Sequence, residues 1–140
     1  MSLDIYLYRE KRTSYDKGKT YTDSLECVYD SNITHNLGSM AQKAGLYEAL
    51  WRPYMLHKEW KDNSLDDEEE DMFEEGVTMY AKDIISKIEE GLKFLKRKPE
   101  YFEEFNSPNG WGMYEHFVPF VENYLNACKE HPEAIVKVSR

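Results

Sequence analysis

The sequence predicts an α+β fold: a small antiparallel sheet, made of two N-terminal strands and a C-terminal strand, packed against about three to five helices. Three observations predict it. Apolar residues alternate with polar ones near the start of the chain and again at its end, the period of a half-buried strand. Between them run two long apolar stripes at helix spacing, Val77–Leu95 and Tyr114–Cys128. The 140 residues suffice for one hydrophobic core and are short for two. The chain is therefore read as a single domain, 1–140.

The elements follow in order. Leu3, Ile5 and Leu7 alternate with Asp4, Tyr6 and Tyr8 as a first strand. Lys11–Asp23 is polar, contains Gly18, and reads as a long loop or hairpin tip. Leu25, Cys27 and Tyr29 alternate with Glu26, Val28 and Asp30 as a second strand, antiparallel to the first. Ser31–Asn36 is rich in residues that cap helices, and Leu37, Met40, Ala41 and Ala44 follow at helix spacing. Thr34 or Asn36 caps that helix and Gly45 ends it. Leu46–Trp51 reads as a short helical turn stopped by Pro53.

The segment at about 54–76 holds an acidic run. Asp62–Glu75 contains nine acidic residues and no Lys or Arg. Like charges at that density repel one another and favour water. Met55, Leu56 and Trp60 can pack on the domain, and the remainder reads as a solvated excursion. The helix carrying Ile84, Ile88 and Leu92 is the most strongly patterned, with Lys96, Arg97 and Lys98 at its C-terminal end, where the helix dipole favours cations. Pro99–Phe105 makes a further short turn. Ser107–Gly112 is turn chemistry. Pro119 interrupts the last stripe, which predicts a kink or a late start near Phe117 or Val118. Ala134, Val136 and Val138 form the terminal strand.

Composition excludes several function classes. The net charge is −9, and without Asp62–Glu75 the chain has 18 acidic and 18 basic residues. Neither part carries the basic excess that a duplex nucleic-acid binder exchanges for counterions. A pocket for one small anion remains open. No apolar run reaches membrane-span length, and the first ten residues lack the pattern of a signal peptide, so no membrane partner and a cytoplasmic location are expected. Cys27 and Cys128 have no motif spacing and read as reduced, buried, small apolar residues, a disulfide being the lesser alternative. The Asn32-Ile33-Thr34 sequon is without meaning absent secretion. His35, His57, His116 and His131 lack ligand spacing, and the acidic run lacks the alternation and central Gly of a calcium loop. No metal site and no cofactor are expected.

Three clusters can carry chemistry. The first is Asn32-Ile33-Thr34-His35-Asn36, polar, after a strand and opening a helix. Its His35 can bind an anion or act as acid or base. The rival reading has Thr34 or Asn36 as a cap and His35 bonded to a carbonyl. The cluster lacks the glycines and Lys of a P-loop. The second is Trp51-Arg52-Pro53, where the guanidinium can hold an anion while the indole stacks on a ring. Its rival is a buried Trp51 with Arg52 paired to an acid. The third is Asn109-Gly110-Trp111-Gly112-Met113-Tyr114-Glu115-His116. Here flanking glycines permit an exposed indole, and Glu115 can assist catalysis. Its rival is a turn anchored to the core by Trp111.

Two stretches, NITHNLGSMAQKAGLYEALWRP at Asn32–Pro53 and NGWGMYEHFVPFVENYLNACKEHPEAIVKVSR at Asn109–Arg140, resemble a family of small phage and bacterial proteins. The likeness is concentrated in NITHNLG, LWRP, NGWG and the terminal VSR. It implies a phage or prophage accessory protein acting inside the host bacterial cell, and it carries no reaction or ligand with it.

If the fold joins the three clusters, Asn32, Thr34, His35, Asn36, Trp51, Arg52, Asn109, Trp111 and Tyr114 form one pocket for a planar or anionic small molecule. The first expectation is then a non-enzymatic binding protein for such a ligand or for a host protein. The alternatives are a small hydrolase or transferase, with His35 as acid–base, Arg52 as anion binder and Glu115 as orienter, and a structural interaction module. The last would associate as a homo-oligomer through its Tyr-rich sheet edge, or meet a basic partner through its acidic segment.

Overall fold

The computed structural model describes residues 2–15, 19–60 and 65–140, with the side chains of 11–23 left aside. Strand β1 (Ser2–Tyr15) is the middle of a three-stranded antiparallel sheet, with β2 (Lys19–Thr34) on one side and β3 (Ile135–Ser139) on the other. Leu3, Ile5 and Leu7 are fully buried, so one sheet face belongs to the core as the alternation predicts. Val138 and Val136 pair with Ile5 and Leu7 and extend that face into β3.

The described parts of Lys11–Asp23, residues 11–15 and 19–23, are strand, so of the two readings the hairpin holds. Pairing continues to Tyr15 opposite Lys19, and the tip, with Gly18, lies outside the described residues. A ladder bonds backbone groups whatever the side chains are. Thr13, Tyr15, Thr20, Tyr21 and Thr22 also belong to the residue types that favour strands. Because β3 stops opposite Tyr8, the hairpin beyond that point is a two-stranded ribbon.

One correction concerns Cys27. Leu7 pairs with Tyr29, but Tyr8 pairs with Cys27, so Val28 is an extra residue in β2. Such a bulge reverses the inward–outward phase of what precedes it. Cys27 therefore shares the outer face with Tyr8 and is exposed, while Cys128 is buried. Leu25, 48% exposed, is turned out for the same reason.

Among the described residues there are six α-helices, slightly more than expected: α1 (Gly38–Ala44), α2 (Tyr47–Trp51), α3 (Asp67–Gly76), α4 (Ala81–Arg97), α5 (Pro99–Glu103) and α6 (Tyr114–Glu130). The additional one is the acidic run itself. Asp66 caps α3 by accepting from the Glu69 N–H at 2.9 Å, and four carboxylates in the first turn favour the positive end of the dipole. Asp62 lies outside the described residues.

Gly45 ends α1 with φ 76°, the left-handed conformation expected there. Helix α4 buries Ala81, Ile84, Ile88, Leu92 and Leu95 and packs on α6. Full burial of each large aliphatic side chain contributes about 1.5–3 kcal/mol. Gly91 lies in α4 where Leu46 presses on the helix: a Cβ there would be 2.3 Å from Leu46 Cγ.

Helix α6 starts at Tyr114 and contains Pro119, so the late start predicted from the proline does not occur. Pro119 and Glu115 both lie on the exposed side of α6, where the donor that proline removes costs least. The outer edge of β3 is partly covered: Val136 N–H donates to the Met79 carbonyl and Ala81 N–H to that of Ala134, each at 2.8 Å. No helix among the described residues is long and apolar enough to cross a membrane.

Candidate functional site

Where β2 ends, Thr34 Oγ1 accepts from the Asn36 N–H at 3.2 Å and turns the chain into a 3-10 turn over His35–Leu37. This is the expected cap. His35 bonds a side chain instead of a carbonyl: the Trp51 indole Nε1–H donates to its Nδ1 at 2.9 Å. That bond uses the Nδ1 lone pair, so the neutral ring carries its proton on Nε2. Trp51 is buried, stacked on Tyr47 with ring centroids 5.5 Å apart, and so fixes the imidazole from behind.

The Asn109–Gly112 loop is built around one carboxamide. Asn109 Oδ1 accepts from the Trp111 N–H at 2.9 Å and from Ser107 Oγ at 2.6 Å. Ser107 N–H donates to the Gly112 carbonyl at 3.0 Å and closes the turn. The loop is then locked to the first cluster, since Asn36 Nδ2 donates to the Trp111 carbonyl at 2.7 Å. Gly112 has φ 120°, and a Cβ at that position would stand 2.9 Å from Asn36 Cβ, so both conformation and contact require glycine. The result is an indole held away from the core: Trp111 is 70% exposed.

These two clusters line one open depression of about 750 Å³, with Asn32, Thr34, His35, Asn36, Asn109 and Trp111 in its walls. Ser2 and Ile33 complete it. Ser2 was missed because only the strand register, which sets it opposite Thr34, brings it there.

The other named residues lie elsewhere. Trp51 touches the depression only through His35. Arg52, one residue on, serves a different site: its Nη1 donates to Tyr54 Oη at 2.9 Å and lies 3.6 Å from Glu70 Oε1, while Nε reaches Tyr47 Oη at 3.4 Å. Tyr54 donates to the same Glu70 carboxylate. Burial, followed by the bond to Glu70, pushes the Tyr54 hydroxyl up to about 12. The hydrogen bond to Tyr47 leads the causes that raise Arg52, whose cation stays charged throughout the working pH range.

One helical turn further, Glu74 forms a two-pronged pair with Arg140 at 2.7 and 2.8 Å, and the same guanidinium donates to the Trp51 carbonyl at 2.9 Å. Helix α3 is thus fastened to the fold at Glu70 and Glu74, while Asp67, Glu68 and Glu69 face solvent.

Tyr114 points its hydroxyl to the Leu95 carbonyl at 2.7 Å, away from the depression. Glu115 and His116 are exposed on the first turn of α6, 4.0 Å from each other, and neither lines the depression. The grouping of His35, Arg52 and Glu115 required for a hydrolase or transferase is therefore not assembled. Among the described residues, no three His, Cys, Asp or Glu side chains gather as a metal site. A second cavity, of about 400 Å³, lies between α3 and β3, and Tyr54, Glu74 and Arg140 in its walls are occupied in the contacts above.

No family model, curated protein or solved structure matches this chain.

Proposed function

We propose that this protein is a non-enzymatic binding protein that takes a planar group against Trp111, in the depression between Asn32–Asn36 and Asn109–Trp111. The observation that carries the reading is the fixed exposure of Trp111. An indole 70% exposed forfeits most of its burial energy, yet its own backbone N–H and C=O are both bonded so that it stays there. A loop serving only to close a turn needs no such side chain. Large exposed aromatics on rigid loops are the usual anchors of recognition sites. The resemblance to phage and bacterial proteins would make the role an accessory one inside a bacterium.

The chemistry of the walls favours binding over turnover. His35 offers a donor, Nε2–H, and has no free lone pair with which to take a proton, because Trp51 occupies Nδ1. The test is thermal unfolding against a panel of planar small molecules. A ligand at 100 times its Kd stabilises the folded state by about 2.7 kcal/mol, or about 9 °C for a chain of this length. The expected hit disappears in Trp111→Ala and persists in Arg52→Ala, whose guanidinium lies outside the depression. A shift that survives Trp111→Ala refutes the site. A panel without a Trp111-dependent hit counts equally against the reading.

A further inference from the structure

We propose that the ligand of this depression is an uncharged nucleobase-type heterocycle, stacked on Trp111 and read along its edge by His35 and the surrounding carboxamides. The inference rests on the reading above and adds the ligand's chemical class.

The first argument is charge. None of the described residues lining the depression is Asp, Glu, Lys or Arg, in a chain of which 32% of residues are charged. Arg52, the cation that would have received a phosphate or carboxylate, is held by Tyr47, Tyr54 and Glu70 instead. An anion entering here would lose water and gain no counter-charge, an uncompensated cost.

The second argument is the inventory of hydrogen-bonding atoms. Asn109 Oδ1 is used twice within its own loop, which leaves its amide N–H groups as donors. Asn36 spends an Nδ2 proton on the Trp111 carbonyl and keeps Oδ1 as an acceptor. His35 keeps the Nε2–H donor. The Asn32 carboxamide has no hydrogen bond among the described residues and presents a donor beside an acceptor. Such a side-by-side pair matches the edge of a base, as when Asn engages the N6 and N7 of adenine. A flat indole face next to alternating neutral donors and acceptors is thus the complement of a base: stacking supplies affinity and the carboxamides read the edge.

A base can arrive as a free nucleoside or as part of a strand, and the walls favour the former because none of their described residues is Lys or Arg. The experiment is calorimetric titration of the whole protein with four probes: adenosine, guanosine, cytidine and uridine. Each is compared with its 5′-monophosphate and with a short single-stranded oligonucleotide. At least one nucleoside is expected to bind, its monophosphate no more tightly, with less than about a twofold change between 50 and 200 mM salt, because no counterions are released. Trp111→Ala and Asn32→Ala are each expected to weaken binding about 10-fold.

Tighter binding of the monophosphate or oligonucleotide, lost in Trp111→Ala, overturns the neutral class and leaves the site standing. A Trp111-dependent ligand without a base-type edge, found in the thermal panel, does the same. If no compound of either panel binds in a Trp111-dependent way, this inference and the reading beneath it both fall.

Discussion

Replacing Gly112 by alanine tests whether the two clusters are joined as described. An L-residue at φ 120° costs about 1–3 kcal/mol. The added Cβ would stand 2.9 Å from Asn36 Cβ, against about 3.5–4.0 Å for an ordinary carbon contact. Relief requires a shift of roughly 0.6–1 Å. If the loop makes that shift, the Trp111 carbonyl moves from 2.7 Å to beyond hydrogen-bond reach of Asn36 Nδ2. Losing that bond costs a further 0.5–1.5 kcal/mol or so. The sum is about 2–4 kcal/mol, and a domain of this size loses roughly 3–4 °C in Tm per kcal/mol. Thermal unfolding should therefore fall by about 6–16 °C. Gly110→Ala is the internal comparison: φ is 78° but nothing lies within 4 Å of the added Cβ, so only the left-handed cost of about 1–2 kcal/mol applies. Equal losses in the two variants would refute the contact between Gly112 and Asn36, and with it the locking of the loop.

Other outcomes follow from separate features. Gly91→Ala should destabilise by up to about 2 kcal/mol in urea unfolding, because the clash with buried Leu46 outweighs the roughly 1 kcal/mol that alanine gains in a helix; a stabilised variant would overturn that packing. Trp51→Phe should cost about 1 kcal/mol and, in imidazole ¹⁵N spectra at high pH, shift the His35 Nδ1 resonance, which loses its donor; an unchanged resonance would refute that bond. Cys27 should react with a thiol reagent in the native protein and Cys128 should not; equal rates would contradict the bulge that turns Cys27 outward. Burial pushes the Cys128 thiol from 9.0 to about 12. Below pH 9 the thiol is neutral in both states. Above it only the unfolded chain ionises, so stability present below 9 is lost progressively toward 12. Cys128→Ala should flatten that decline by at most about 1.4 kcal/mol per pH unit, and an unchanged slope would assign it to the tyrosines.

The parts of the fold that were legible are those where one residue's neighbours in sequence are also its neighbours in space. Leu3, Ile5 and Leu7 show the core face of β1 directly, and Ile84, Ile88 and Leu92 that of α4, because burial repeats with the period of the element. Thr34 and Gly45 were legible as caps through local backbone chemistry. The bulge at Val28 was not, since an extra residue shows itself only against a partner strand. The polarity of Lys11–Asp23 suggests a loop, while its Thr and Tyr content suggests the strand that residues 11–15 and 19–23 form. Asp66 ahead of four carboxylates is a helix signal, and the exposed face of α3 tolerates the charge repulsion that argues against one. At the site, two clusters meet as their polar–aromatic composition suggested. The third divides between consecutive residues: Trp51 supports His35 while Arg52 turns to Glu70, a difference of direction at a helix end that no spacing in the sequence records.

The bulged register of β2 has a consequence for how the molecule meets its own copies. This strand forms the sheet's outer margin along 16 residues, a length that would otherwise invite end-to-end growth by strand addition. Its pairing with β1 slips twice, at Val28 and between Ser24 and Thr22, so the margin is divided into runs of which the longest, Tyr29–Thr34, has six residues. Each slip offsets the spacing of the donors and acceptors that face outward. An arriving strand of regular pleat can satisfy one run and must then fall out of step with the next. Each interruption therefore limits the gain from fibre-like stacking to a single short run, while within each run the opposite side of the strand stays paired with β1.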